Sequence, residues 1–186
     1  MYRTTLIRLA ALAALIAGAL RIGAIFTGGV LVGDPAEMVY LFIDLGLLLG
    51  VLGAYLSRPQ DLRRLGFAGF AIALPGAASI VGPDGRMFGI ELYAAGGAVM
   101  IVGLAMLAVA QLRASIGRRG SSIGWLASLA ALAVTPLAPI AFMVLGVIFG
   151  FAFLALGLEL LGETKTGGRP ACQARACSDS TAVSRW

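Results

Sequence analysis

Two long apolar runs, about Arg8 to Val32 and Pro35 to Leu56, are separated only by Gly33-Asp34-Pro35. A transmembrane helix needs roughly 20 apolar residues to cross a hydrocarbon core of about 30 Å, and each run meets that length. The break has the chemistry of a helix start. Asp34 suits the N-cap, Pro35 the first helical position, and Glu37 the third position of a capping box. The first two elements are therefore predicted to be a helical hairpin over 8–32 and 35–56.

The same pattern continues along the chain. A polar stretch from Ser57 to Arg64 precedes an apolar run over 65–81, which Pro75-Gly76 interrupts as an ordinary membrane-helix kink. Gly82-Pro83-Asp84-Gly85 is a turn sequence, and a fourth helix is predicted over 86–112. Beyond the basic stretch Arg113 to Ser122, the apolar region Ile123 to Leu161 is too long for one span. Thr135-Pro136-Leu137-Ala138-Pro139 divides it, giving helices over 118–135 and 139–161. Residues 163–186 are polar, with glycine and serine and few large apolar side chains, and are expected to be a disordered cytoplasmic tail. The expected fold is an all-α polytopic membrane bundle of six transmembrane helices, 1–162, followed by that tail. Ala17-Gly18-Ala19 fits a signal cleavage pattern, but the apolar run continues past it to Val32, which favours a first membrane helix.

Composition agrees with this pattern. The chain is 60% hydrophobic, with a mean hydropathy of +0.96, far above an ordinary soluble domain. Its formal charge of +5 comes from clusters between spans rather than from a nucleic-acid-binding patch, so no nucleic-acid partner is expected. The clusters alternate. Arg3 and Arg8, then Arg58, Arg63 and Arg64, then Arg113, Arg118 and Arg119, and finally the tail fall on one side, with Arg86 on the other. The positive-inside rule then puts both termini in the cytoplasm. Arginine outnumbers lysine thirteen to one in a chain rich in alanine, glycine and leucine, a codon bias expected of a GC-rich bacterium and hence of a bacterial inner membrane.

Three charges stand inside predicted spans. Arg21 lies twelve residues before Gly33, about 18 Å along a helix, and Asp44 lies ten residues after Asp34, about 15 Å. Both counts put the charge near the midplane, where an unpaired Arg or Asp costs about 2.5 to 3.5 kcal/mol on insertion scales. A buried Arg21–Asp44 pair is the expected relief; the alternative is an Arg21 that snorkels outward while other helices hold Asp44. The helix face around Arg21 carries Ala10, Ala14, Ala17, Gly18, Ala24 and Gly28, small residues that allow a neighbouring helix to approach closely. Glu91 shares its predicted helix face with Ala94, Ala95 and Ala98, and either joins Asp44 or faces the outer interface near Arg86.

Candidate chemistry is sparse. The chain has no histidine, and its two cysteines, Cys172 and Cys177, sit in the tail without imidazole partners, so neither a metal site nor a cofactor is expected. No nucleophile–base constellation or phosphate loop is apparent, and an intramembrane enzyme acting on lipid or quinone would lack residues to carry its reaction. Two readings of function follow. The first is a non-catalytic membrane subunit or scaffold whose Gly and Ala faces pack on lipid-embedded partners or on a second copy. The alternative is a small transporter or channel with a site for a proton, cation or polar solute at Arg21 and Asp44, with Glu91 as a further member.

Overall fold

The computed structural model describes residues 2–27, 34–81, 86–87, 90–115, 119–135 and 140–165. The fold is all-α, with six helices among the described residues: α1 Tyr2–Thr27, α2 Asp34–Leu56, α3 Arg63–Ile80, α4 Leu92–Arg113, α5 Arg119–Val134 and α6 Ile140–Lys165. Between α3 and α4, β1 Arg86–Met87 pairs antiparallel with β2 Ile90–Glu91. Four helices, α1, α2, α4 and α6, are long and apolar enough to cross a membrane. At 18 and 16 residues, α3 and α5 extend only about 27 and 24 Å.

Chain neighbours pack as antiparallel pairs, and α6 closes the ring against α1. Small residues set the spacing of the first pair. Gly46, Gly50 and Gly53 of α2 lie against Ala17, Ala14 and Ala10 of α1, the small-residue face expected from the sequence. In α3 and α4 the backbones themselves meet. A Cβ added to Gly76 would come 2.5 Å from the Met100 nitrogen and 2.9 Å from the Gly96 carbonyl oxygen. A third close approach joins α1 to α6, where a Cβ on Gly18 would lie 2.7 Å from the Gly150 carbonyl oxygen. Lipid gives apolar helices little reason to associate, so dispersion contacts at this separation carry much of the attraction. Larger side chains fill the centre, where Trp125 of α5 and Phe153 of α6 are fully buried and meet edge to face at 6.1 Å.

Several expected boundaries shift. Helix α1 begins at Tyr2 rather than Arg8, and Arg3 donates to the Leu56 and Ser57 carbonyls at 3.2 and 3.0 Å, tying the first turn of α1 to the end of α2. Helix α4 begins at Leu92, not at residue 86. The sequence here carries Gly85 and Gly89, each of which disfavours helix by about 1 kcal/mol relative to alanine, and Arg86–Met87 pairs with Ile90–Glu91 as extended strands instead. Glu91 is consequently a β2 residue, and its expected place on a helix face with Ala94, Ala95 and Ala98 does not hold. Helix α6 continues to Lys165, past the expected start of the tail at 163, with Glu163 bridging to Arg58 at 3.5 Å. The expected tail from residue 166 onward lies outside the described residues.

Candidate functional site

The register of α1 against α2 brings the first two candidate residues to one level. Ala10, Ala14 and Ala17 face Gly53, Gly50 and Gly46 in turn. Carrying that spacing one turn further sets Arg21 opposite Ile43, the residue next to Asp44. Asp44 is 3% exposed and takes part in a polar interaction.

The guanidinium of Arg21 reaches towards α4. Its Nη1 donates to the Tyr93 hydroxyl oxygen at 2.9 Å, across to a helix that is not a neighbour of α1 in the ring. Tyr93 is the second residue of α4, so the guanidinium sits level with the first turn of that helix. Arg21 Nε is buried and has no hydrogen-bond partner among the described residues.

Arg21 and Tyr93 form the polar part of a cavity of about 110 Å³. All six helices contribute to its wall: Leu47 from α2, Ile80 from α3, Ile101 from α4, Leu132 from α5 and Phe149 from α6 join Arg21 from α1. Apart from Arg21 and Tyr93 the lining is apolar. Ala94 in the first turn of α4 and Phe142 in the first turn of α6 are exposed lining residues, so the cavity wall reaches the surface at these two helix starts. Asp44 does not line it; Leu47, one turn along α2, does.

A second polar cluster occupies the opposite end of the bundle. Glu159 of α6 accepts from the backbone of Gly120 at 2.9 Å and of Ser121 at 3.4 Å, and from the Ser121 hydroxyl at 2.5 Å. A carboxylate from one helix thus satisfies the open N–H groups at the start of another and complements its dipole. Beside it the Ser122 hydroxyl donates to Gln111 Oε1 at 2.9 Å, joining α5 to α4 in a buried setting. A larger hollow of about 570 Å³ near the α2–α3 connection is lined by Asp61, Arg63 and Arg113, all of them exposed, and is a water-facing groove. Among the described residues no group of three or more His, Cys, Asp or Glu could hold a metal ion.

Tyr93, Glu159, Gln111 and Ser122 carry these contacts without having been singled out in the sequence. Glu159 had a usable signal, being an acidic residue within the last apolar run; Tyr93 had only the amphipathic character of a tyrosine near a span end. No protein family, curated protein or solved structure matches the chain.

Proposed function

We propose that the protein is a non-catalytic integral membrane subunit or scaffold. Its six helices span a bacterial inner membrane with both termini cytoplasmic. The supporting observation is where the interior polar groups go. Arg21 joins α1 to α4, Gln111 and Ser122 join α4 to α5, and Ser121 and Glu159 join α5 to α6. Groups bonded in this way fix helices relative to one another, the role polar side chains commonly take in lipid. The two short helices fit the same topology, because Arg63, Arg64 and Arg119 are exposed at their starts and can extend to the interface while the bilayer thins locally. A second copy of the chain or another membrane protein is the partner this reading requires, and the bilayer is its solvent.

The transporter alternative draws support from the cavity beside Arg21, since a half-buried ionisable group next to open volume is a candidate solute site. Conformational multiplicity separates the two readings. Phe67 on α3 and Phe151 on α6 are exposed and suited to spin labels after Cys172 and Cys177 are changed to serine. In proteoliposomes, a scaffold gives one narrow label-to-label distance distribution that a proton or sodium gradient leaves unchanged. Two populations that exchange weight when a gradient is imposed would establish alternating access and overturn the scaffold reading.

A further inference from the structure

We infer that the Arg21–Tyr93 cavity binds the acidic headgroup of an amphiphile, a carboxylate or phosphate, with the attached chain leaving past the exposed Ala94 and Phe142 at the starts of α4 and α6. Three observations converge on this chemistry. The polar wall is rich in donors. Arg21 lines the cavity with a guanidinium that carries donors besides the Nη1 bonded to Tyr93, and Tyr93, whose oxygen accepts from Nη1, keeps its own O–H to give. Guanidinium and phenol together ask for a group that only accepts, and an oxyanion does so with charge assistance. The rest of the wall is apolar, which excludes a freely hydrated solute and suits methylene groups. A cation is disfavoured, because Arg21 is the charged residue of the lining.

Size and position then specify an amphiphile. At about 110 Å³ the cavity is smaller than the roughly 150 Å³ apolar cavity known to accept benzene, so it holds a headgroup and a few carbons. A longer chain must extend outside. The exposed edge at Ala94 and Phe142 lies beside lipid in the proposed topology, and Phe142 is 56% exposed, so an acyl chain passing over it remains in hydrocarbon. This inference needs the bundle to be embedded in a bilayer but does not depend on whether the protein is a scaffold or a transporter.

The test is native mass spectrometry of the full-length protein in detergent, titrated separately with palmitate, dipalmitoyl phosphatidic acid and dipalmitoyl phosphatidylcholine. Saturable binding of palmitate or phosphatidic acid, about tenfold or more tighter than phosphatidylcholine, is expected from charge-assisted hydrogen bonds. Preference for palmitate identifies a free fatty acid as the source, and preference for phosphatidic acid identifies a phospholipid. Arg21→Gln and Tyr93→Phe should each weaken the preferred adduct. Because Arg21→Gln could fail to fold, Gly97→Leu provides an independent arm. Gly97 lines the cavity, and a Cβ built there meets nothing within 4 Å, so leucine fills the space without disturbing a packed helix pair. Its expected result is a folded protein that has lost the acid adduct. Equal binding of all three probes, or undiminished binding by folded Gly97→Leu protein, overturns the proposal.

Discussion

Arg21 of α1 and Tyr93 of α4 are 72 positions apart in sequence and 2.9 Å apart in space, joined across the interior of the ring rather than along a packed helix pair. The bond satisfies one donor of a cation that a low-dielectric interior would otherwise leave exposed to apolar walls. Tyr93→Phe keeps the ring and removes the acceptor. Hydrogen bonds to charged groups contribute about 1.5 to 3 kcal/mol, so this variant should melt at lower temperature in detergent than wild type. Arg21→Met combined with Tyr93→Phe removes both polar groups and should recover most of that loss. A double variant no more stable than Tyr93→Phe alone would mean that the guanidinium is held chiefly by other groups.

Glycine positions differ sharply in what they tolerate. Gly76 of α3 lies against the α4 backbone, where a methyl group would come 2.5 Å from the Met100 nitrogen, and backbone cannot rotate aside as a side chain can. Gly76→Ala should therefore destabilise by about 1 to 3 kcal/mol through overpacking. Gly23 of α1 has nothing within 4 Å of an added Cβ, so Gly23→Ala should stabilise by about 0.5 to 1 kcal/mol through helix propensity. Thermal melts of the two variants beside wild type read both signs, and a Gly76→Ala protein as stable as wild type would show that α3 and α4 can separate freely.

Glu159 acts on a helix other than its own. It accepts from the first turn of α5, including the hydroxyl of the fully buried Ser121. Glu159→Ala removes those acceptors at once, and loss of a capping group costs about 0.5 to 2 kcal/mol. Hydrogen exchange should locate the effect, with faster exchange at Gly120 and Ser121 and little change in α3. Uniformly faster exchange along the bundle would instead mark Glu159 as a global support.

How much of this arrangement was legible beforehand depends on its range. Apolar runs and proline–glycine breaks located all six helices, since helix formation in lipid follows local hydropathy and backbone hydrogen bonding. The Ala10, Ala14 and Ala17 stripe was legible too, because one helical period brings these residues onto a single face. The start of α4 was not, since hydropathy does not separate short strands such as Arg86–Met87 and Ile90–Glu91 from the first turns of a helix. Nor could periodicity find Tyr93. Its partner lies on a helix three elements away, and the choice among possible acceptors is made by ring closure rather than by any local pattern.

Arginine placement predicts the sidedness of the loops. In a protein whose Cys172 and Cys177 are replaced by serine, single cysteines at positions 61 and 116 should react from the cytoplasmic side and a cysteine at position 84 from the outside. Asp61 is exposed beside the water-facing groove, so a cysteine there is accessible. Reaction of position 84 from the cytoplasm would show that α3 turns back without crossing, a specific risk for an 18-residue helix that begins with two arginines.

Asp44 and Arg21 lie at adjoining levels of two packed helices, and whether they sense each other electrostatically can be measured with a double-mutant cycle. Removing one member of a buried ion pair costs about 3 to 5 kcal/mol, because the other charge remains without compensation. If the two interact, Asp44→Ala and Arg21→Met should each be poorly tolerated, and the double variant should be more stable than the sum of the single losses implies, with a coupling of about 1 kcal/mol or more. The Tyr93 bond enters both the wild-type and the Asp44→Ala arms, so repeating the cycle in Tyr93→Phe protein isolates the carboxylate's contribution. Strictly additive losses in both backgrounds would show no coupling. In that case Tyr93 supports the guanidinium, and the buried Asp44 must be accounted for by its other surroundings.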